Sequence, residues 1–229
     1  IWSIIVALTK YNYNSFDLTT AASSGLAFNS NANGFTTDGG GAMTLIKTLT
    51  ASSDSTISFV HGSSDVVLDS TYPVYLFKLI NIHHLGNATG EVNFRDGGSA
   101  YDATKTTTFF RTSHRDNDTE VVFGTNGASL HSGGGSLGQD TGTQQWSGGI
   151  GGGESYQAGS GYIYLFNPSS TTFVKHFIIE SQIYSAAQSE QSFAAGYCNT
   201  TAAIDGVQFS MSSGDIVSGT FKLYGIKDS

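Results

Sequence analysis

The chain has 229 residues, a length at which a single all-β domain is common. Its 18 acidic side chains outnumber 10 Lys and Arg, and the formal net charge of −8 disfavours a nucleic-acid partner. Charged residues make up only 12% and hydrophobic residues 38%, so the chain is neither disordered nor collagenous. No apolar run approaches the roughly 20 residues of a membrane-spanning helix, and we expect no membrane insertion.

Residues 1–42 have little core material, because small and polar residues separate a few apolar ones. We expect an extended N-terminal arm that contacts a neighbouring protein during assembly. The apolar side chains proposed for these contacts are Ile1, Trp2, Ile4, Ile5, Phe16 and Phe28. The opening residues resemble the apolar core of a signal peptide but lack a basic segment before it, so no targeting segment is predicted.

Strand patterns dominate residues 43–229. Short segments rich in β-branched and aromatic residues recur with glycine turns between them, which is typical of a sandwich. The predicted strands are 43–49, 56–61, 66–69, 73–83, 91–95, 107–112, 119–123, 161–166, 173–179, 207–211 and the segment around Phe221 and Leu223. Residues 73–83 are apolar on both faces, with Ile80 and Ile82 on the same one, and this predicts a central strand.

The connections predict two hairpins and almost no helix. Asn167–Ser170 has the composition of a turn between two strands. A glycine turn joins residues 207–211 to the strand of Phe221 and predicts a second hairpin. Only residues 185–195 have a plausible helical composition, with an irregular loop as the alternative. We therefore predict an all-β, jelly-roll-like β-sandwich domain over residues 43–229.

Residues 133–153 contain ten glycines, which disfavour a strand and predict a long exposed loop. Trp146 in this loop, together with Tyr156 beyond it, is a candidate ligand-binding platform on which a sugar ring could stack. The competing interpretation is that Trp146 and Ile150 anchor the loop to its own domain or to a neighbouring subunit.

The sequence offers no convincing catalytic or metal-binding motif. Its six His residues lack the spacing of a metal site. Ser136 fits a nucleophile pattern within Gly134–Gly138, but the strand and helix that this motif requires are not predicted around it. The single cysteine, Cys198, is interpreted as a buried apolar residue. We expect no cofactor, no metal and no enzyme activity.

Several motifs between about Thr48 and Lys227 carry a family resemblance. They are Ser55–Phe59, Ser70–Tyr75, Asn81–His83, Asp96–Asp102, Ile204–Phe209, Ser213–Ile216 and, most specific of all, Ser218–Ile226. By these motifs the chain resembles virion structural proteins from tailed phages of marine bacteria, especially cyanophages and pelagiphages. The resemblance does not extend to the first forty or so residues.

This resemblance implies a β-sandwich on a virion, in a fibre, a tail appendage or the capsid surface, in several copies and without catalytic residues. We therefore predict a non-enzymatic structural protein that assembles with other virion proteins as a homo-oligomer, for which a trimer is one candidate. The alternative is a carbohydrate-binding or receptor-binding module that contacts a host cell-surface glycan. Deletion of residues 1–42 is expected to leave a folded domain that no longer assembles.

Overall fold

The computed structural model describes residues 25–28, 35–38, 42–118, 121–124, 135–151, 153–185 and 187–227. The chain divides into two compact units, Ile1–Gly41 and Ala42–Ser229. The predicted arm contacts Ile1, Trp2, Ile4, Ile5 and Phe16 lie outside the described residues.

The described part of the first unit is a pair of antiparallel strands, β1 (Gly25–Phe28) and β2 (Phe35–Asp38). Phe28, another predicted arm contact, ends β1, where its backbone pairs with that of Phe35. The extended arm as a whole therefore stays a prediction.

The described residues of the second unit are all-β, as predicted. They contain twelve strands and no helix. The strands are β3 (Met43–Asp54), β4 (Thr56–Val60), β5 (Val74–His83), β6 (Ala88–Arg95), β7 (Lys105–Arg115), β8 (Val121–Gly124), β9 (Gln144–Ile150), β10 (Gly159–Phe166), β11 (Lys175–Ser185), β12 (Gln188–Cys198), β13 (Gly206–Met211) and β14 (Ile216–Ile226). Across the described ranges, therefore, no helix has the length and apolarity to cross a membrane.

These strands form two antiparallel sheets. One sheet has eight strands in the order β3-β14-β5-β10-β11-β12-β7-β8, and the other has four in the order β4-β13-β6-β9. Aromatic side chains meet between the sheets: the ring centroids of Phe59 and Phe77 are 5.4 Å apart, and those of Phe94 and Phe177 are 4.8 Å apart. The core consequently lies between the inner faces of the two sheets.

Strand β5 lies between β14 and β10, which confirms the prediction of a central strand. Ile80 is 39% exposed whereas Ile82 is fully buried, although strict alternation assigned both to one face. Between them Asn81 has a φ of 51°, and the register of β5 shifts here against both neighbours. The extra residue of this β-bulge turns Ile82 into the core.

One predicted hairpin is confirmed and the other is wrong. β10 and β11 pair antiparallel across the predicted turn at Asn167–Ser170. β13 and β14 are strands as predicted, but they belong to different sheets. Phe209 and Phe221 instead face each other across the core with ring centroids 5.1 Å apart. Both strands alternate polar and apolar residues, and this pattern cannot distinguish pairing within a sheet from packing between sheets.

The helical composition of residues 185–195 is overridden by strand pairing. Gln188–Cys198 forms β12, which pairs with β11 on one side and β7 on the other. Glu190, Ser192 and Ala194 are buried in alternation with more exposed residues, the period of a strand. Tertiary pairing on both edges outweighs a weak local propensity for helix.

Residues 66–69, predicted as a strand, form a loop instead. Val66 and Leu68 are nevertheless only 4% and 2% exposed, so both side chains pack in the core although the segment is not a strand. The backbone N–H of Leu68 donates to Nδ1 of His61 at 3.1 Å, which takes the place of a ladder bond.

The glycine-rich segment is the largest correction. Gln144–Ile150 is not part of an exposed loop but forms β9, which pairs with β6 at the edge of the four-stranded sheet. Gly148 faces Glu190 so closely that a Cβ there would lie 1.7 Å from Oε1. Gly148 thus allows the buried strand β9 to approach the Glu190 carboxylate of the opposite sheet.

Candidate functional site

The predicted sugar platform does not form between Trp146 and Tyr156. Trp146 is only 1% exposed, and its indole lies against Gly90, where a Cβ would be 2.2 Å from the ring. Tyr156 is 69% exposed and stands near Tyr184, with ring centroids 6.0 Å apart. A ligand has no access to the faces of Trp146 in this structure. Trp146 and Ile150 both pack inside their own domain, as the competing interpretation has it.

Cys198 lies in an interior polar cluster that sequence reasoning did not find. It is fully buried and pairs in register with Lys175 on one side and Lys105 on the other, both also fully buried. The Lys105 amine donates to the carbonyl of Ala103 at 2.9 Å, and the Lys175 amine donates to that of Thr200 at 3.1 Å.

Burial lowers the pKa of both lysines and raises the pKa of the Cys198 thiol to about 12. The thiol consequently stays protonated, and a protonated thiol is a poor nucleophile. We therefore interpret the cluster of Lys105, Lys175 and Cys198 as part of the packed interior, where the two amines bond to backbone carbonyls.

The buried histidines are also fixed by backbone groups. His83 Nδ1 lies 2.7 Å from the carbonyl oxygen of Gln157, and His84 Nδ1 lies 2.9 Å from that of Asp215. Among the described residues, no three His, Cys, Asp or Glu side chains come together as a candidate metal centre.

The most distinctive surface is the outer face of the eight-stranded sheet. Along β10 and β11, the core residues Ile163, Leu165, Phe177 and Ile179 are at most 1% exposed. The residues between them point outward. Side chains of β5, β10, β11 and β12 form the outer face, and they are Lys78, Ile80, Tyr162, Tyr164, Phe166, His176, Ile178, Glu180, Gln182, Gln191, Phe193 and Tyr197.

Three side chains of β10 form an aromatic stripe along the outer face: Tyr162, Tyr164 and Phe166. The ring centroids of Tyr162 and Tyr164 are 5.5 Å apart, and those of Tyr164 and Phe166 are 6.3 Å apart. Beside the stripe, Ile178 is 47% exposed. These side chains therefore expose apolar surface to water and do not pack in the core.

Glu180 lies at one end of the stripe and is held by two donors. The hydroxyl of Tyr162 donates to Oε2 of Glu180, and Nε2 of Gln191 donates to Oε1 at 2.8 Å. The bond to Glu180 raises the pKa of Tyr162 to about 12, so its hydroxyl keeps the proton that it donates. A carboxylate offers about four acceptor positions, and these two bonds leave about two of them for a ligand.

Two shallow grooves cross the outer face. The first, called here the Glu180 groove, has a volume of about 300 Å³ and is lined by Lys78, Ile80, Tyr162, Glu180, Gln182 and Gln191 among others. The second, called the His176 groove, has a volume of about 410 Å³ and is lined by Phe166, His176, Ile178 and Tyr197 among others. The Glu180 groove differs from the His176 groove in holding two charged side chains, Lys78 and Glu180.

The β3 edge is a second exposed feature of this sheet. No described strand pairs with the side of β3 that faces away from β14. Only one of its 12 residues, Ala51, is buried, and its first residues include Met43 at 43% and Leu45 at 50% exposure. An unpaired edge of this length is a template for pairing with another chain.

Comparison with protein-family models, with curated proteins and with solved structures found no match to this chain.

Sequence reasoning missed the outer-face residues because their partners come from separate strands. Tyr162 and Glu180 are 18 residues apart, and Gln191 is a further 11 residues along. The available signal was a run of aromatic residues at alternate positions of Gly159–Phe166, which a strand with one solvated face does not require.

Proposed function

We propose that this protein is a non-enzymatic structural subunit of a tailed-phage virion, a surface decoration, fibre or tail-appendage protein that assembles with neighbouring particle proteins. The observation that carries the proposal is the exposed β3 edge, which directly follows residues 1–42. The assignment to a phage particle rests on the motif resemblance to virion proteins of marine phages.

The β3 edge suits assembly for two physical reasons. No described strand pairs with its outer N–H and C=O groups, which can extend the eight-stranded sheet into a neighbouring subunit. The apolar side chains of Met43 and Leu45 lose water when such a pair forms, and each contributes further stabilisation. Many copies on a symmetric particle then strengthen a weak pairwise contact through avidity.

We assign the domain to the jelly-roll type of β-sandwich. Successive strands β3, β4, β5, β6 and β7 alternate between the two sheets, which supports this assignment. Such crossing connections place strands that are distant in sequence side by side. A domain of this kind resists local opening outside the cell, where a virion protein has to stay folded.

Light scattering coupled to size-exclusion chromatography tests the assembly. The full-length protein is expected to form a discrete oligomer, and Leu45→Lys should shift it towards the monomer, because a charged residue on an edge strand opposes pairing. Removal of residues 1–42 is expected to have the same effect while the domain stays folded.

Phe173→Lys is the matched control, because Phe173 is 68% exposed and lies in the turn between β10 and β11, away from β3. It should leave the oligomer unchanged. A full-length protein that is monomeric at every concentration, or an oligomer that Leu45→Lys does not alter, would contradict assembly through this edge.

A further inference from the structure

We propose that the Glu180 groove binds an uncharged oligosaccharide. In this site Glu180 accepts hydrogen bonds from two neighbouring sugar hydroxyls, and the aromatic stripe packs against the sugar rings. The site is separate from the β3 edge, so it does not depend on the proposed mode of assembly.

The carboxylate of Glu180 has the arrangement that a vicinal diol requires. Tyr162 and Gln191 each donate to a different oxygen of Glu180, and these two bonds fix the orientation of the carboxylate. One further acceptor position remains on each oxygen. Two adjacent hydroxyls of one sugar ring can therefore bond to both oxygens at once, through charge-assisted hydrogen bonds.

The aromatic stripe supplies the apolar half of the site. Sugar rings present C–H groups on their faces, and aromatic side chains bury such surface with little loss of rotamer entropy. From Gln182 to His176 the strand β11 runs about 20 Å at about 3.3 Å per residue, so the two grooves together can hold a ligand of several rings.

Charge favours a neutral ligand. Lys78 and Glu180 are the only charged residues among those that line the Glu180 groove, and their charges cancel. The Lys78 amine is also directed towards Tyr224, at 5.1 Å from the ring centroid. A phosphate or a nucleic acid would meet the Glu180 carboxylate and a chain of net charge −8, which opposes its binding.

The separation between the site and the β3 edge keeps the two surfaces compatible. β3 is followed by β14 and β5 before β10 in the sheet. Three strand spacings of about 4.8 Å place the aromatic stripe about 14 Å from β3. A subunit paired through β3 therefore still presents its outer face.

The test uses the full-length protein on a microarray of uncharged oligosaccharides and bacterial surface polysaccharides, followed by calorimetric titration of the strongest binder. We expect Glu180→Gln to weaken binding about tenfold or more, the order of one lost charge-assisted hydrogen bond. Tyr164→Ala is expected to weaken it by a similar factor, because the Tyr164 ring lies between those of Tyr162 and Phe166, which line one groove each.

Two matched controls keep the result specific. Glu154→Gln makes the same chemical change at an exposed loop residue that lines neither groove, and it should leave the affinity within about twofold of wild type. Phe173→Ala removes an exposed aromatic side chain that lines neither groove and should also bind normally. Circular dichroism confirms that each variant is folded, and the isosteric Glu180→Gln keeps the test valid should Tyr164→Ala unfold.

Three results would overturn the proposal. The first is a wild-type protein that binds no glycan on the array. The second is a glycan that Glu180→Gln binds as tightly as wild type does. The third is a change of oligomeric mass in Glu180→Gln without glycan binding, which would make the outer face an interface between copies of the chain.

Discussion

The two faces of the eight-stranded sheet are built from the same strands but meet different demands. On β11 the inner residue Ile179 is 1% exposed, whereas its neighbour Ile178 on the outer face is 47% exposed. Packing between the sheets explains the apolar inner residues such as Ile179, because each fills core volume. It does not explain the aromatic stripe or Glu180, so the outer face is where function can be sought.

Trp146→Ala is expected to cause the largest loss of stability and to test whether Trp146, in β9 of the four-stranded sheet, belongs to the core. The side chain is 1% exposed, and truncation of a buried Trp costs about 3–5 kcal/mol of unfolding free energy. Urea unfolding followed by circular dichroism measures the change.

A double-mutant cycle provides the control for Trp146. Gly90→Ala should destabilise the wild type by about 1–3 kcal/mol through overpacking, because its Cβ would meet the indole. In the Trp146→Ala background that cost should fall sharply. If Trp146→Ala lowered the free energy of unfolding by less than about 1 kcal/mol, Trp146 would instead be an exposed residue available to a ligand.

A neighbouring pair on β11 tests the comparison of faces directly. Ile179→Ala should lower the unfolding free energy by about 2–5 kcal/mol, since it leaves a cavity in the core. Ile178→Ala should change it by no more than about 0.5 kcal/mol, because no core volume is lost. The two variants differ by one position in the same strand, and equal losses in denaturant unfolding would contradict the assignment of faces.

A strand could be predicted where its own side chains had a composition typical of strands. The β-branched and aromatic residues of 161–166 identified a strand in β10, because that composition is present in the sequence itself. β9 carries glycines, and its burial depends on Gly90, which lies in β6. A contact between residues so far apart in sequence leaves no local signal.

The candidate site was hidden for the same reason. Glu180 is a candidate ligand-binding residue only because Tyr162 and Gln191 orient its carboxylate. The register of three strands brings these residues together. Trp146, by contrast, looked accessible because the glycines around it resemble a loop. Local composition predicted most of the strands. Pairing between strands, which composition does not show, decided which residues reach the surface.

A smaller effect concerns the buried acid on the inner face of β12. Glu190 is 3% exposed and pairs with Arg111, whose Nη1 lies 3.1 Å from Oε2. Burial raises the pKa of Glu190 above its ordinary value of 4.5 despite this partner. The folded protein therefore binds the proton more tightly than the unfolded chain does.

The resulting pH dependence has a definite sign. Stability linked to Glu190 is fully present below pH 4.5 and is lost as the pH rises through the folded-state pKa. Relative to Glu190→Gln, the unfolding free energy of the wild type should fall as the pH rises above 4.5, as measured by urea unfolding at each pH. The exposed Glu154→Gln should follow the wild type, and a rise in place of the fall would show that Arg111 outweighs burial.

We propose that this chain is a structural part of a phage particle. Mass spectrometry of particles banded in a caesium chloride gradient tests it most directly, with the tryptic peptide Leu79–Arg95 as the marker. We expect this peptide to band with the capsid proteins, in several copies per particle. Recovery of the peptide only in the soluble fraction of infected cells, while the capsid proteins band normally, would contradict it.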